Sequence, residues 1–242
     1  RGRTRPVVSG MTRHIVAAGG GVLLPDSGNL KLEKYCLSLA RRAVPRVLFV
    51  GTASGDDPTY LARFYESYGQ LGCRTAHLPF FRRTPVDLRA FIFDFDVVHV
   101  GGGNTRSMLA VWRDWDLVET LREAWSQGIV LCGSSAGAIC WFEEGVTDSF
   151  AGDLTRMSCL GFVGGSACPH YDGEKERRPA YQRMVADASI GPGYACDDGA
   201  ALHFTDGTLQ AVVAARPDAR AYRVERDGAG AARENELTAT LL

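Results

Sequence analysis

GIVLCGSSAGAICW, residues 128–141, passes from a short apolar run through a corner of glycine and serine into a second apolar run. Such a run, bounded by glycine, reads as a buried strand, and the small residues behind it as the start of a helix. Ser134 and Ser135 stand at the corner itself. Buried strand, tight turn and helix make up the repeating unit of a parallel α/β sheet covered on both faces.

The same unit recurs on either side. HIVAA (14–18) runs into GGG (19–21), and leucines then fall at helical spacing from Leu30 to Ala43. RVLFVGTAS, from Arg46, reads as a second strand and loop, followed by a helix over Pro58–Leu71. DVVHV (96–100) runs into GGGNT (101–105), with helices expected around Ser107–Trp112 and Leu117–Gln127. After Phe142 the pattern predicts shorter strands and loops over Glu143–Gly165 and a helix over Glu174–Ala188. Short strands follow at Ala200–Phe204, Leu209–Ala214 and Ala221–Glu225, with turn signals at DG (206–207) and RPDA (216–219) that predict an antiparallel tail. The expected fold is α/β, a mostly parallel central sheet with helices on both faces and a small antiparallel C-terminal part. In such sheets the working groups gather at the carboxyl ends of the strands, where all three glycine-rich turns would lie.

No repeat, low-complexity tract or linker divides the chain, so residues 11–242 read as one domain. The basic stretch Arg1–Gly10, ending just before Met11, reads as an upstream extension or a remnant foreign to that domain, and it lacks the apolar core of a secretory signal. With 45% apolar and 23% charged residues, the 242-residue chain has an ordinary globular composition. A formal net charge of -1 gives no reason to expect nucleic acid or an anionic membrane surface as a partner. No apolar stretch approaches the roughly 20 residues needed to span a bilayer. Seven scattered cysteines without a CxxC pair read as free, mostly buried thiols of a reducing, cytoplasmic compartment. Five histidines without clustered Cys/His spacing argue against a metal site, and no cofactor is expected.

Gly133-Ser134-Ser135-Ala136-Gly137 fits G-x-S-x-G with Ser135 at the centre. A nucleophile on a strand-to-helix turn needs a strained backbone, and the residues two positions to either side press together, which glycine permits. Ser134 lacks glycine at both of those distances, so the nucleophile is assigned to Ser135. Neither GGGNT nor GGG continues as G-x-G-x-x-G, because Arg106 and Leu24 stand where the third glycine belongs, so a dinucleotide role is weak. Gly102 or Gly103, together with the N–H of Ala136, would instead form an oxyanion hole. His170, in the loop ACPHYDGE, is the best placed base, whereas His14, His99 and His203 sit in strands and His77 precedes a loop. The orienting acid is open between Asp148, giving the order Ser…Asp…His, and Asp198, giving Ser…His…Asp.

GGGNT, GSSAGA some thirty positions later, PHYDGE (169–174) and DDGA (197–200), in that order, resemble the S51 family of serine peptidases, which contains dipeptidase E and the cyanophycinases. The resemblance runs from about Ile15 to Arg226. It implies a three-layer α/β sandwich like that of class I glutamine amidotransferases, with the nucleophile at Ser135 and the base at His170. The family's acid is a glutamate on the turn that matches Asp198. Here the side chain is one methylene shorter, so the contact with His170 needs a different backbone path. Selection of an N-terminal aspartate implies a cation near the nucleophile, for which Arg177 and Arg178 are candidates, with Asn104 and Glu174 as further substrate contacts. The resemblance also implies a homodimer. The expected activity is hydrolysis of short peptides, dipeptides beginning with Asp first among them. The alternatives are a cyanophycinase-like β-aspartyl peptidase, an esterase with the same triad, or a non-catalytic binder of a small anion.

Overall fold

The computed structural model describes residues 10–24 and 28–242. Residues 1–9 of the expected extension lie outside the described residues.

Five strands form the parallel part of the main sheet: β1 (His14–Ala18), β2 (Arg46–Val50), β3 (Arg74–Leu78), β4 (Val97–Val100) and β5 (Val130–Ser134). They lie in the order β1-β5-β4-β2-β3. On the far side of β1 the sheet continues through β10 (Ala200–Thr205), β11 (Thr208–Ala214) and β14 (Ala239–Leu241). β10 is antiparallel to β1 and to β11, and β14 is parallel to β11. The expected antiparallel tail is therefore split, because β12 (Ala221–Arg226) joins a second sheet.

Alternation along each parallel strand separates the two faces of the main sheet. Val16, Ala18, Val47, Phe49, Val97 and Val130 pack with Leu32 and Cys36 of α1 (Lys31–Ser38) and with Phe64 and Tyr68 of α2 (Pro58–Gly69). Ile15, Leu48, Val50, Val98 and Leu131 face the opposite way, onto α3 (Leu88–Ile92), α4 (Thr105–Asp114) and α5 (Leu117–Ser126). Residues in a strand point alternately to opposite faces, so a run apolar at every position must be covered on both. Asp57 and Asn104 cap the N-termini of α2 and α4 by accepting the N–H groups of Tyr60 and Ser107 at 2.9 Å. The helix expected to reach Ala43 ends at Ser38.

The segment expected as short strands and loops, Glu143–Gly165, does hold short strands, and they build a second sheet. β6 (Phe142–Thr147), β7 (Thr155–Ser158), β8 (Val163–Cys168) and β9 (Gly193–Cys196) join β12 and β13 (Ala232–Leu237) in a six-stranded sheet of order β13-β12-β9-β8-β6-β7. Phe142, Val163 and Ala167 face the main core. Val146, Cys168, Ala195 and Val224 face outward under α7 (Arg177–Ala186), packing on Ala180, Tyr181 and Val185.

The topology gathers three turns. β5 lies between β1 and β4, so GGG after β1, GGGNT after β4 and the serine corner after β5 share one edge of the sheet.

The core also holds His99, whose Nδ1 meets the Tyr68 hydroxyl at 2.8 Å while its Nε2 is buried without a partner. Burial pushes this imidazole down to about 4. Above pH 6.5 His99 is neutral whether folded or unfolded. As the pH falls the unfolded chain takes up the proton first, so stability is lost from pH 6.5 toward 4. The loss from His99 at pH 4 is about 3 kcal/mol. Urea unfolding midpoints at pH 7, 5 and 4 measure it, and His99→Gln is expected to flatten the slope. An unchanged slope in that variant would show that His99 is not its source.

Candidate active site

Ser135 sits between β5 and α6 (Ala136–Ile139) with φ 54 and ψ -118, a left-handed backbone that a residue with a Cβ rarely adopts. The flanking glycines explain how it is held there. A Cβ on Gly133 would lie 2.5 Å from the Gly137 carbonyl oxygen, and one on Gly137 would lie 2.1 Å from that of Val100. The two glycines press on each other and on the end of β4. The expected helix behind the corner is only four residues long, since the chain turns back into β6 at Phe142. Its first residue, Ala136, has an N–H with no acceptor inside the helix. Ser135 donates its own N–H to the Ala18 carbonyl at 3.3 Å, which fixes the corner to the end of β1.

His170 follows β8 in a loop and is itself left-handed, at φ 52. Its Nδ1 and the Asp198 Oδ1 are 2.7 Å apart. The pair rests on the same strand end as Ser135. Gly20 and Asp198 form a parallel bridge, and a Cβ on Gly20 would lie 2.0 Å from Asp198 Oδ1 and 2.6 Å from His170 Nδ1. Gly20 thus lies two residues beyond the Ala18 carbonyl that accepts the Ser135 N–H. Serine, imidazole and carboxylate are brought to one end of β1 from residues 135, 170 and 198, although no hydrogen bond joins Ser135 to His170.

A model of peptidase family S51 matches residues 15–212. The chain belongs to this peptidase family. It is similar to the "Uncharacterized peptidase YgaJ" of Bacillus subtilis (strain 168), 51% identical over 212 residues that cover 88% of this chain and 92% of that one. Its fold is that of a peptidase from an acI-B1 Actinobacterium (TM-score 0.72, 19% identity, 95% of each chain). A putative peptidase E protein from Listeria monocytogenes EGD-e shares it too (TM-score 0.60, 18% identity, 80% of this chain and 95% of that one).

Two adjacent aspartates in this S51 chain have opposite electrostatics. The hydrogen bond from His170 holds the Asp198 carboxyl below its ordinary value, with smaller help from the charges of Arg216 and Arg177. Burial pushes Asp197 up to about 6, against the N–H of Arg220 that it accepts at 2.9 Å. Asp198 is therefore the carboxylate that stays ionised beside the imidazole. Asp148, the other candidate acid, is largely exposed and lies 3.4 Å from an Arg177 Nη, so its partner is the arginine.

Other sequence candidates fall into distinct roles. Arg177 is buried; its Nε donates to Glu174 at 2.7 Å and a terminal nitrogen donates to the Val146 carbonyl at 3.1 Å. Arg178 points elsewhere, pairing with Glu234 and lying over the rings of Tyr171 and Tyr222. Asn104 spends its amide on structure: besides capping α4, its Nδ2 donates to the Ser149 carbonyl at 3.2 Å. Gly102 is in contact with Ser135, since a Cβ there would lie 3.2 Å from that of Ser135. Its N–H, however, donates to the Tyr60 hydroxyl at 3.0 Å. That leaves the N–H groups of Gly103 and Ala136 without an acceptor among the described residues.

Sequence reasoning passed over three residues that hold this site. Tyr60 binds the turn after β4 from α2. Asp172 accepts the N–H of Asp198 at 2.9 Å, and Arg216 donates through Nε to the Asp198 carbonyl at 2.8 Å. Asp172, two positions after His170 in PHYDGE, and Arg216, the first residue of the RPDA turn, lay in stretches that carried a sequence signal. Among the described residues, no helix is long and apolar enough to cross a membrane.

Proposed function

We propose that this S51 peptidase is a cytoplasmic serine exopeptidase that cleaves short peptides, dipeptides with N-terminal Asp first, through an acyl-enzyme on Ser135. What supports the reading most is one juxtaposition: the left-handed Ser135 and the His170–Asp198 pair meet at the end of β1. Ser135 Oγ attacks the scissile carbonyl carbon as its proton passes to His170 Nε2. Asp198, bonded at Nδ1, fixes the tautomer and stabilises the imidazolium. The free N–H groups of Gly103 and Ala136 receive the oxyanion. The C–N bond then breaks, the leaving amine takes the proton from His170, and water releases the acyl group by the reverse sequence.

For the aspartyl side chain the reading assigns Arg177, with Glu174 turned to the substrate's α-ammonium group. Arg177 already faces two carboxylates, so the substrate must displace the longer-range one, Asp148 at 3.4 Å. Removing this competitor by Asp148→Asn is therefore expected to lower KM for Asp-Leu several-fold. A raised KM would show that Asp148 itself binds substrate.

A dipeptide panel tests the substrate class. Asp-Leu is expected to exceed Ala-Leu in kcat/KM by at least about tenfold, the worth of one charge-assisted hydrogen bond. Faster turnover of a β-Asp-Arg dipeptide would favour the cyanophycinase-like alternative, and turnover of a short ester alone an esterase. No turnover, with no labelling of Ser135 by a fluorophosphonate, would leave a binder of small anions.

A further inference from the structure

Aspartate has a single methylene between backbone and carboxylate, so the position of its oxygens is set almost wholly by its own backbone. Both ends of the Asp198 backbone are gripped by side chains. Asp172 Oδ1 accepts its N–H at 2.9 Å, and Arg216 Nε donates to its carbonyl at 2.8 Å. The other oxygen of Asp172 pairs with an Arg216 Nη, closing a ring around the residue, and Asp218 holds the remaining Arg216 nitrogen at 2.7 Å. On the far side the Gly199 N–H donates to Gly20 at 3.0 Å. Asp172 also lies two residues after His170, so the ring ties the acid's turn to the base's own loop.

We propose that Asp172 and Arg216 form a clamp that sets the Asp198 carboxylate at hydrogen-bonding distance from His170, making both of them positioning residues for the reaction. The proposal rests on the triad reading above. Neither side chain forms a hydrogen bond or ion pair with His170 or Ser135; both grip the backbone of Asp198, and the charge of Arg216 adds a smaller effect on its carboxylate. Releasing the clamp lets the turn relax, lengthens the imidazole–carboxylate bond and weakens support for the imidazolium in the transition state. Substrate binding is untouched, so kcat falls and KM does not.

The test compares wild type with Arg216→Ala, Arg216→Gln and Asp172→Asn. It uses Asp-Leu hydrolysis, the pH profile of kcat/KM, and the downfield proton NMR resonance of an imidazole N–H bonded to a carboxylate. Arg216→Ala is expected to lower kcat by about 10- to 100-fold with KM within about twofold. It is also expected to move the acidic limb of the profile to lower pH and to weaken the downfield resonance. Asp172→Asn keeps an oxygen for the Asp198 N–H and is expected to lose less. If Arg216→Ala does not fold, Arg216→Gln, which keeps a donor at the place of Nε but loses the pairs to Asp172 and Asp218, is expected to show the same changes in smaller measure. Folded Arg216 and Asp172 variants with wild-type kcat and an unmoved resonance would overturn the clamp. Retained hydrolysis in Ser135→Ala would overturn the triad reading instead, while the resonance, which needs no turnover, would still report on the clamp.

Discussion

Ser135→Ala is expected to lower kcat for Asp-Leu by at least about 10⁴-fold, with the thermal midpoint held within a few degrees. In the proposed mechanism the catalytic loss follows from removing the atom that forms the acyl bond. The unchanged stability follows from the structure: the Ser135 hydroxyl makes no hydrogen bond among the described residues, and the bond that fixes the corner runs from its backbone N–H to Ala18. Alanine keeps the Cβ and so meets the same left-handed backbone at φ 54. Hydrolysis by purified variant, with circular dichroism and thermal unfolding alongside, separates the two effects. A folded variant that still hydrolyses Asp-Leu would remove Ser135 from the chemistry.

Gly137→Ala should produce the largest loss of stability at the site. Its Cβ would lie 2.1 Å from the carbonyl oxygen of Val100, the last residue of β4, and 2.7 Å from the carbonyl carbon. β4 is paired on both sides, with β2 and β5, so neither the strand nor the corner can yield without breaking ladder bonds. The cost is about 4 kcal/mol, at the upper end of single substitutions, and the thermal midpoint should fall by about 10 °C for a chain of this size. Gly69→Ala is the control: at the end of α2 a Cβ meets nothing within 4 Å, so alanine should be neutral or mildly stabilising there. Equal midpoints for the two alanine variants would mean that the corner is looser than its contacts require.

The parts of the fold that carry the site were legible because each of these strands is mostly apolar and ends in glycine. RVLFV, DVVHV and GIVLC all read this way, and the structure pairs them side by side. Ser135 could be chosen over Ser134 by asking which serine has glycine two residues away on both sides, and those glycines do crowd each other. Short strands were expected over Glu143–Gly165 and at Ala221–Glu225, but their assembly into a second sheet was not legible. Its strands FEEGVT, TRMS and VGGSAC are short, mix charged and small residues, and find partners far along the chain. The acid was open in the sequence because Asp148 and Asp198 are both loop aspartates, and nothing local says which one the His170 loop approaches. Asp172 stands in PHYDGE and Arg216 in RPDA, but the contacts of Tyr60, Asp172 and Arg216 span 42, 26 and 18 positions, and no local pattern says where they end. Chemistry written in a turn can be read from the turn, while the side chains that hold two turns together become visible only once the turns have met.

Whether Ser135 and His170 act as one unit is measured most directly by kcat for Asp-Leu in Ser135→Ala, His170→Ala and the double variant. If the imidazole serves only to move the serine's proton, removing it from an enzyme that already lacks the serine costs nothing more. The double variant is then expected to be no slower than the slower single one. Losses that multiply in the double variant would mean that the two residues act independently and would contradict the account.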